Sequence, residues 1–176
     1  MKLKHSILFF SLALFACAGD EGEMIVNDPN WTKDESIEMN AQFSADEQAE
    51  IELYLSTHQD WKMTETGTGL RYMVYHKSDA IDSARVGDVV YVDFEISLLS
   101  GEICYTSDEN GAESFMVEKS DIESGLHEGV QFLTPGDKAK FIIPSHAAHG
   151  LIGDTDKIPP LSPVIYDIEL LKIERP

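Results

Sequence analysis

The stretch from Val90 to Leu98 constrains the fold more than any other. Val90, Val92, Phe94, Ile96 and Leu98 alternate with Tyr91, Asp93, Glu95 and Ser97. A period of two puts all five apolar side chains on one face of an extended strand, and that face must be covered. Shorter runs repeat the signal. They are Leu70 to His76, residues 113–117, Lys138 to Ile143 (stopped at Pro144), and Val164 to Ile173. Ser124 to Phe132 reads as a short helix ended by Pro135-Gly136. Residues 68–176 are therefore expected to form one α+β domain, mostly strand with a single short helix.

Upstream, Ser44-Ala45-Asp46-Glu47 has the capping-box pattern, and Ile51, Tyr54, Leu55 and His58 follow at helical spacing. This predicts a separate N-terminal helix over residues 45–58, with Trp61 packing where it ends and residues up to 67 forming the connection. A helix that short makes no stable coiled coil, so a monomer is expected. Residues 18–44 hold seven acidic residues, one Lys and few large apolar ones. Such a segment buries too little surface to order itself, which predicts a flexible tether over residues 17–44. A flexible chain of that length reaches about 30 Å.

The first 16 residues read as a signal peptide. Lys2 and Lys4 precede an apolar run, Ile7 to Ala16, broken only by Ser11 and too short for a permanent membrane span. A small residue directly before Cys17 resembles the lipobox of bacterial lipoproteins, which implies cleavage before Cys17 and acylation of it. The alternative is an ordinary signal peptide with a chance Cys. Cys17 to Glu23 also resembles an acidic surface-export tag of lipoproteins in gliding bacteria. The expected location is the bacterial cell envelope, lipid-anchored at the outer membrane. With Cys17 acylated, Cys104 has no intramolecular disulfide partner.

The formal charge of −19 excludes one class of partner. Removing the leader takes away two basic residues and no acidic one, which leaves −21. A surface this acidic repels phosphates, so no nucleic acid partner is expected. Attachment to a membrane would come from the lipid on Cys17, several acyl chains being needed for a lasting anchor.

An ordered set of motifs resembles the FKBP-type peptidyl-prolyl isomerases. Gly87 to Phe94 is similar to that family's opening strand. Gly101-Glu102-Ile103-Cys104-Tyr105-Thr106-Ser107 stands where the family has Gly-x-x-Phe-Asp-Ser-Ser. Gly125 to Val130 resembles the helix motif Gly-x-x-Glu-Gly, and Pro135 to Ala139 the following turn. Pro144 to Gly150 resembles Pro-Ser-x-x-Ala-Tyr-Gly, and Ile158-Pro159-Pro160 and Asp167 to Leu170 match the close of the domain. The resemblance implies an antiparallel sheet wrapped around one short helix, with an apolar pocket between them. The leader, the helical lead-in and Tyr105-Thr106-Ser107 bring the chain nearest to the gliding-motility-associated FKBP-type lipoproteins.

The implied chemistry is rotation about an X–Pro peptide bond in proline-containing polypeptide clients. The barrier is about 18–20 kcal/mol because amide resonance must be broken. No bond to another group forms, so no nucleophile, metal or cofactor is implied. The site has only to bind the twisted amide better than the planar forms. Carried over by position, the substrate-binding residues are Phe94, Cys104, Phe115, Ile122, Leu126, Ile158 and Tyr166. The catalytic set is Tyr105, His149 and Glu123, the last through its backbone N–H. His149 stands where the family has Tyr, and a ring N–H can also donate. Tyr105 replaces the family's Asp, and Cys104 replaces its neighbouring aromatic, which implies a wider and weaker pocket. Against the isomerase stands a catalytically weak FKBP-like binding or chaperone module, an accessory of a motility or secretion machine. His146 and His149, with Asp154 and Asp156 nearby, lack the spacing that fixes metal geometry.

Overall fold

The structure is a computed structural model and describes residues 32–176. The expected signal peptide, the lipidation site Cys17 and most of the expected tether lie outside the described residues.

Helix α1 spans Lys33–Thr57 and begins well before the expected residue 45. Its capping box is Thr32 with Glu35, not Ser44 with Glu47. The Glu35 carboxylate accepts from Thr32 N–H at 2.7 Å, and the Thr32 hydroxyl accepts from Glu35 N–H at 3.2 Å. Residues 33–44 are thus helix rather than tether. Composition judges only whether a segment can bury surface, whereas a helix already nucleated and docked extends at one hydrogen bond per residue. Its polar first half adds i,i+4 bonds such as Gln42 to Asp46 at 2.8 Å. At 25 residues, the length argument for a monomer falls away.

The strands are β1 (Thr64–Glu65), β2 (Arg71–His76), β3 (Val89–Leu98), β4 (Ile103–Thr106), β5 (Glu113–Met116), β6 (Lys138–Ile143) and β7 (Val164–Glu174). They form one antiparallel sheet in the order β1-β2-β6-β7-β3-β4, with β5 also on β3. β4 and β5 take successive stretches of the same edge of β3, since Glu95 to Ser97 pair with β4 and Val89 to Val92 with β5. Between them sits α2 (Ser107–Asn110), capped by the Thr106 hydroxyl on the Glu109 N–H. The long strand behaves as its alternation requires: Val90, Val92, Phe94 and Ile96 are all buried.

The short helix α3 (Ser124–Val130) lies against the concave face of the sheet. Its two glycines explain the Gly-x-x-x-Gly spacing. A Cβ on Gly125 would stand 2.3 Å from Ile143 Cγ2, and one on Gly129 would stand 2.6 Å from the Phe141 ring. Glycine at both positions lets the helix approach β6 closely enough to bury Leu126 and Val130.

The other face is covered by the second half of α1. Ile51 packs on Ile142 and Ile165, which are paired across β6 and β7, with Trp61 and Leu55 at the border. Trp61 meets Tyr54 edge-on and sits beside His58, as expected for a residue at the helix end. Arg71 on β2 is almost wholly buried and pairs with Glu52 of α1 at 3.0 Å, which locks the helix to the sheet.

Candidate active site

Between the concave face, α3 and the loop after β6 lies a cavity of about 580 Å³. Its buried lining is apolar: Phe94 and Ile96 from β3, Phe115 from β5, Leu126 from α3 and Tyr166 from β7. Each side chain is there for a local reason. Phe94 and Ile96 are two apart on one strand face, Tyr166 is the cross-strand partner of Ile96, and Leu126 is the helix residue following the close-packed Gly125. Ile122, Glu123, Tyr105 and His149 complete the expected residues that line the cavity.

Cys104 and Ile158 do not line it. Cys104 falls at a register shift between β3 and β4 and is packed into the core beneath Tyr105, where it is 2 % exposed. Burial, with Glu102 and Asp154 nearby, pushes its thiol pKa up, so it is an apolar filler and not a nucleophile. Ile158 is also a core side chain. Its backbone matters instead, because it exchanges both hydrogen bonds with Asp154: N–H to Oδ1 at 2.8 Å, and the Asp154 N–H to its carbonyl at 3.1 Å.

Asp154 itself was missed as a site residue. It lines the cavity and accepts from the Tyr105 hydroxyl, as well as from the N–H groups of Asp156 and Ile158. Burial alone raises its pKa. The three donors outweigh burial and bring it down to about 2. The same bond to Asp154 pushes the Tyr105 hydroxyl up to about 12. Tyr105 is therefore held against the wall by Asp154, and the ammonium of Lys157 sits 4.8 Å over its ring. The cavity remains open. In the sequence Asp154 stood out only as a possible metal ligand, and its partnership with Tyr105, 49 residues away, has no local signal.

Glu123 is the N-cap of α3, and its carbonyl accepts from Leu126 and His127. Its carboxylate accepts from the buried Tyr166 hydroxyl at 3.1 Å. His149 Nε2 lies 3.0 Å from the same carboxylate oxygen, but the ring N–H is not aimed along that line, so this is an electrostatic contact and not a hydrogen bond. Burial and the charge of Glu123 together raise the Tyr166 pKa well above its ordinary value. Among the described residues no partner takes the Glu123 backbone N–H. The site thus offers one free donor, the Glu123 N–H, at the edge of a hollow whose buried walls are apolar; the His149 Nε2 is buried against the Glu123 carboxylate. His146 is separate, with Nε2 against the Thr68 carbonyl at 3.1 Å.

His127 is a second residue that sequence reasoning passed over. It is buried on α3, accepts the Glu118 N–H on Nδ1 and meets the Ser120 carbonyl with Nε2, both at 3.0 Å. Glu118 has φ +60°, a left-handed conformation costly for a side-chain-bearing residue. His127 fixes this loop just before Ile122 and Glu123.

A curled antiparallel sheet with a short helix across it and an apolar, donor-bearing hollow between them defines a fold class seen in known proteins. Residues 82–171 match the family described as FKBP-type peptidyl-prolyl cis-trans isomerase, and the chain belongs to that family. Relatives named peptidyl-prolyl isomerases include the probable FkpA of Neisseria meningitidis, 33% identical over 111 residues, 63% of this chain and 40% of that protein. FKBP2 of Bos taurus is 30% identical over 119 residues, 64% of this chain and 85% of that protein. The crystal structure of FkpA from Escherichia coli superposes with a TM-score of 0.65 at 25% identity, over 80% of this chain and 65% of that one. The chain spans about two fifths of the length of the bacterial relatives FkpA.

Proposed function

We propose that this protein catalyses cis–trans isomerisation of X–Pro bonds in polypeptides of the bacterial cell envelope, and is held at the membrane by a lipid on Cys17. The observation that carries the isomerase reading is the hollow itself. An apolar lining of Phe94, Phe115, Leu126 and Tyr166 accepts a prolyl ring, beside an unpartnered backbone donor at Glu123. The ring settles among the apolar side chains, and the N–H holds a substrate carbonyl. The amide that rotates then lies against the apolar part of the wall, with Glu113, Asp121, Glu123 and Asp154 on the remainder. The twisted form has less charge separation than the planar forms, so removing water favours it.

A protease-coupled or NMR exchange assay on a short X–Pro peptide tests this. Leu126→Ala removes three carbons from the lining, and about 1–3 kcal/mol of transition-state contact goes with them. The expected loss in kcat/KM is thus about 5- to 100-fold. A wild-type rate equal to the uncatalysed one would leave the binding-module reading in its place.

The envelope role is a finer reading. It is supported by the leader ending at Ala16-Cys17 and by the acidic stretch that follows. Cys17→Ser should abolish labelling by a palmitate analogue and release the protein into the soluble fraction. Unchanged labelling would remove the anchor. Kinship with gliding-motility lipoproteins rests on the same leader and lead-in helix, and a deletion strain with normal surface motility would count against it.

A further inference from the structure

The family match begins at residue 82, yet α1, upstream of it, is tied to the loop that borders the cavity. Phe43, Glu47 and Ile51 lie at successive i,i+4 positions, on one face of the helix. Ile51 is the buried anchor on the back of the sheet. One turn earlier, both carboxylate oxygens of Glu47 are engaged by one residue: Oε1 accepts from Ser145 N–H and Oε2 from its hydroxyl at 2.9 Å. Ser145 is 3 % exposed, so with Glu47 in place its donors are shielded from bulk water. A further turn back, Phe43 borders a cleft of about 310 Å³ together with Leu151 and Leu161.

Ser145 is the root of the loop that carries the site. Its carbonyl accepts from Ala148 N–H at 3.0 Å, closing the single turn Ser145–Ala147. Ala148, His149 and Asp154 then line the cavity. The far end of the loop is held by Asp154 and its partners Tyr105 and Ile158, and its start, from Ser145 to Gly150, by fewer bonds. His146 meets the Thr68 carbonyl, the Ser124 hydroxyl reaches the Ala147 carbonyl at 3.4 Å, and Leu161 N–H closes on the Gly150 carbonyl. Glu47 makes two charge-assisted bonds on a buried residue, four positions before His149, and is the strongest of these ties.

We propose that Glu47 is a positioning residue for the isomerase site, and that α1 is a rigid arm setting where His149 and Asp154 stand. This rests on the isomerase reading of the cavity. The path is continuous: the sheet holds Ile51, the helix holds Glu47 one turn away, Glu47 holds Ser145, and Ser145 sets the loop. Whatever shifts α1 along or off the sheet shifts the substrate wall with it.

The test uses the full chain with Glu47→Ala, Glu47→Gln and wild type, well below the melting temperature of each. Two readouts are taken: kcat and KM on one X–Pro peptide, and amide hydrogen exchange at Ser145 to His149. In Glu47→Ala, KM should rise roughly ten-fold with kcat nearly unchanged, and exchange in the loop should quicken by a similar factor, since two buried donors lose their acceptors. Glu47→Gln keeps one acceptor oxygen and should recover most of both. Unchanged KM and exchange in Glu47→Ala overturn the proposal. So does a loss in Glu47→Ala and Glu47→Gln that only tracks their melting temperatures, because a merely structural role gives that pattern. A wild type without isomerase activity overturns the reading of the cavity, and the exchange arm then still judges the clamp by itself.

Discussion

Gly129→Ala sets two effects of opposite sign against each other. In a helix interior, alanine is normally worth about 0.5–1 kcal/mol over glycine, through the entropy of the unfolded chain. Here the new methyl would stand 2.6, 2.9 and 2.9 Å from three atoms of the Phe141 ring. Ordinary contact begins near 3.4 Å, so ring and helix must part by roughly half to one ångström. Phe141 is fully buried at the centre of β6, paired to Tyr72 on one side and Tyr166 on the other, and has no solvent to swing into. Overpacking of this kind costs about 1–3 kcal/mol. Steric cost exceeds propensity gain, and the net is a loss of about 1–2 kcal/mol, or roughly 2–8 °C in Tm for a chain of this size. Gly67→Ala is the control, because nothing lies within 4 Å of its added Cβ and it should change stability by no more than about 0.5 kcal/mol. Thermal unfolding followed by circular dichroism reads both. Lifting α3 also lifts Leu126 and the Glu123 N–H, so kcat/KM should fall at temperatures where the variant is still folded. A Gly129→Ala protein with equal or higher Tm would refute the close-packing argument for this helix.

Three further outcomes follow from the charges. Asp137 is fully buried and accepts from Lys77, Ser78 N–H and both Thr134 donors; burial raises its pKa, but these partners outweigh it and hold it at about 2. A depressed carboxylate stabilises above its unfolded value, so urea titrations should show about 2 kcal/mol lost as pH falls from about 4 through about 2, with the gap to Asp137→Asn closing over the same window. Tyr105→Phe removes a donor from Asp154, whose NMR titration midpoint should rise from about 2; an unmoved midpoint would mean the bond does not form in solution. Glu113, Asp121, Glu123 and Asp154 line the cavity and, among the described residues, no Lys or Arg does, so a Lys-Pro peptide should exceed a Glu-Pro peptide in kcat/KM by about ten-fold at low salt, the ratio shrinking at high salt.

Much of the sheet was legible because its strands alternate. β3, β6 and β7 fall within a residue or so of their expected bounds, and a one-residue slip would have put Val90, Val92, Phe94 and Ile96 into water. Of the short elements, β5 and α3 were legible, but β1, β4 and α2 were not. β4 has four residues, too few for a period to show, and α2 is a single turn held by one Thr106 cap. The β3–β4 ladder also has a register shift at Cys104, which the sequence does not announce, and there Cys104 is packed into the core while Tyr105 lines the cavity. The start of α1 was misplaced because Ser44-x-x-Glu47 is a capping pattern in local sequence only. Its Glu47 is committed to Ser145, 98 positions away, and no local pattern reports that bond.

The site also shows why transfer by position is a weak guide to a polar network. The resemblance implies an acid at position 105 and a phenol at position 149, and this chain has neither. It has a phenol at Tyr105 and an imidazole at His149. A carboxylate nevertheless stands at the wall, supplied by Asp154, and it is joined to a phenol, supplied by Tyr105. A second phenol, Tyr166, is joined to a second carboxylate, Glu123, with His149 against it. Physical requirements account for this. A buried hydroxyl or carboxylate must find a partner, but nothing requires that partner to come from a fixed strand. On the proposed isomerase reading, what has to persist is an apolar wall and a backbone donor. Phe94, Phe115, Leu126 and Tyr166 form that wall, and the Glu123 N–H would be the donor, which no side-chain substitution removes. The polar residues around them can then change places without altering either.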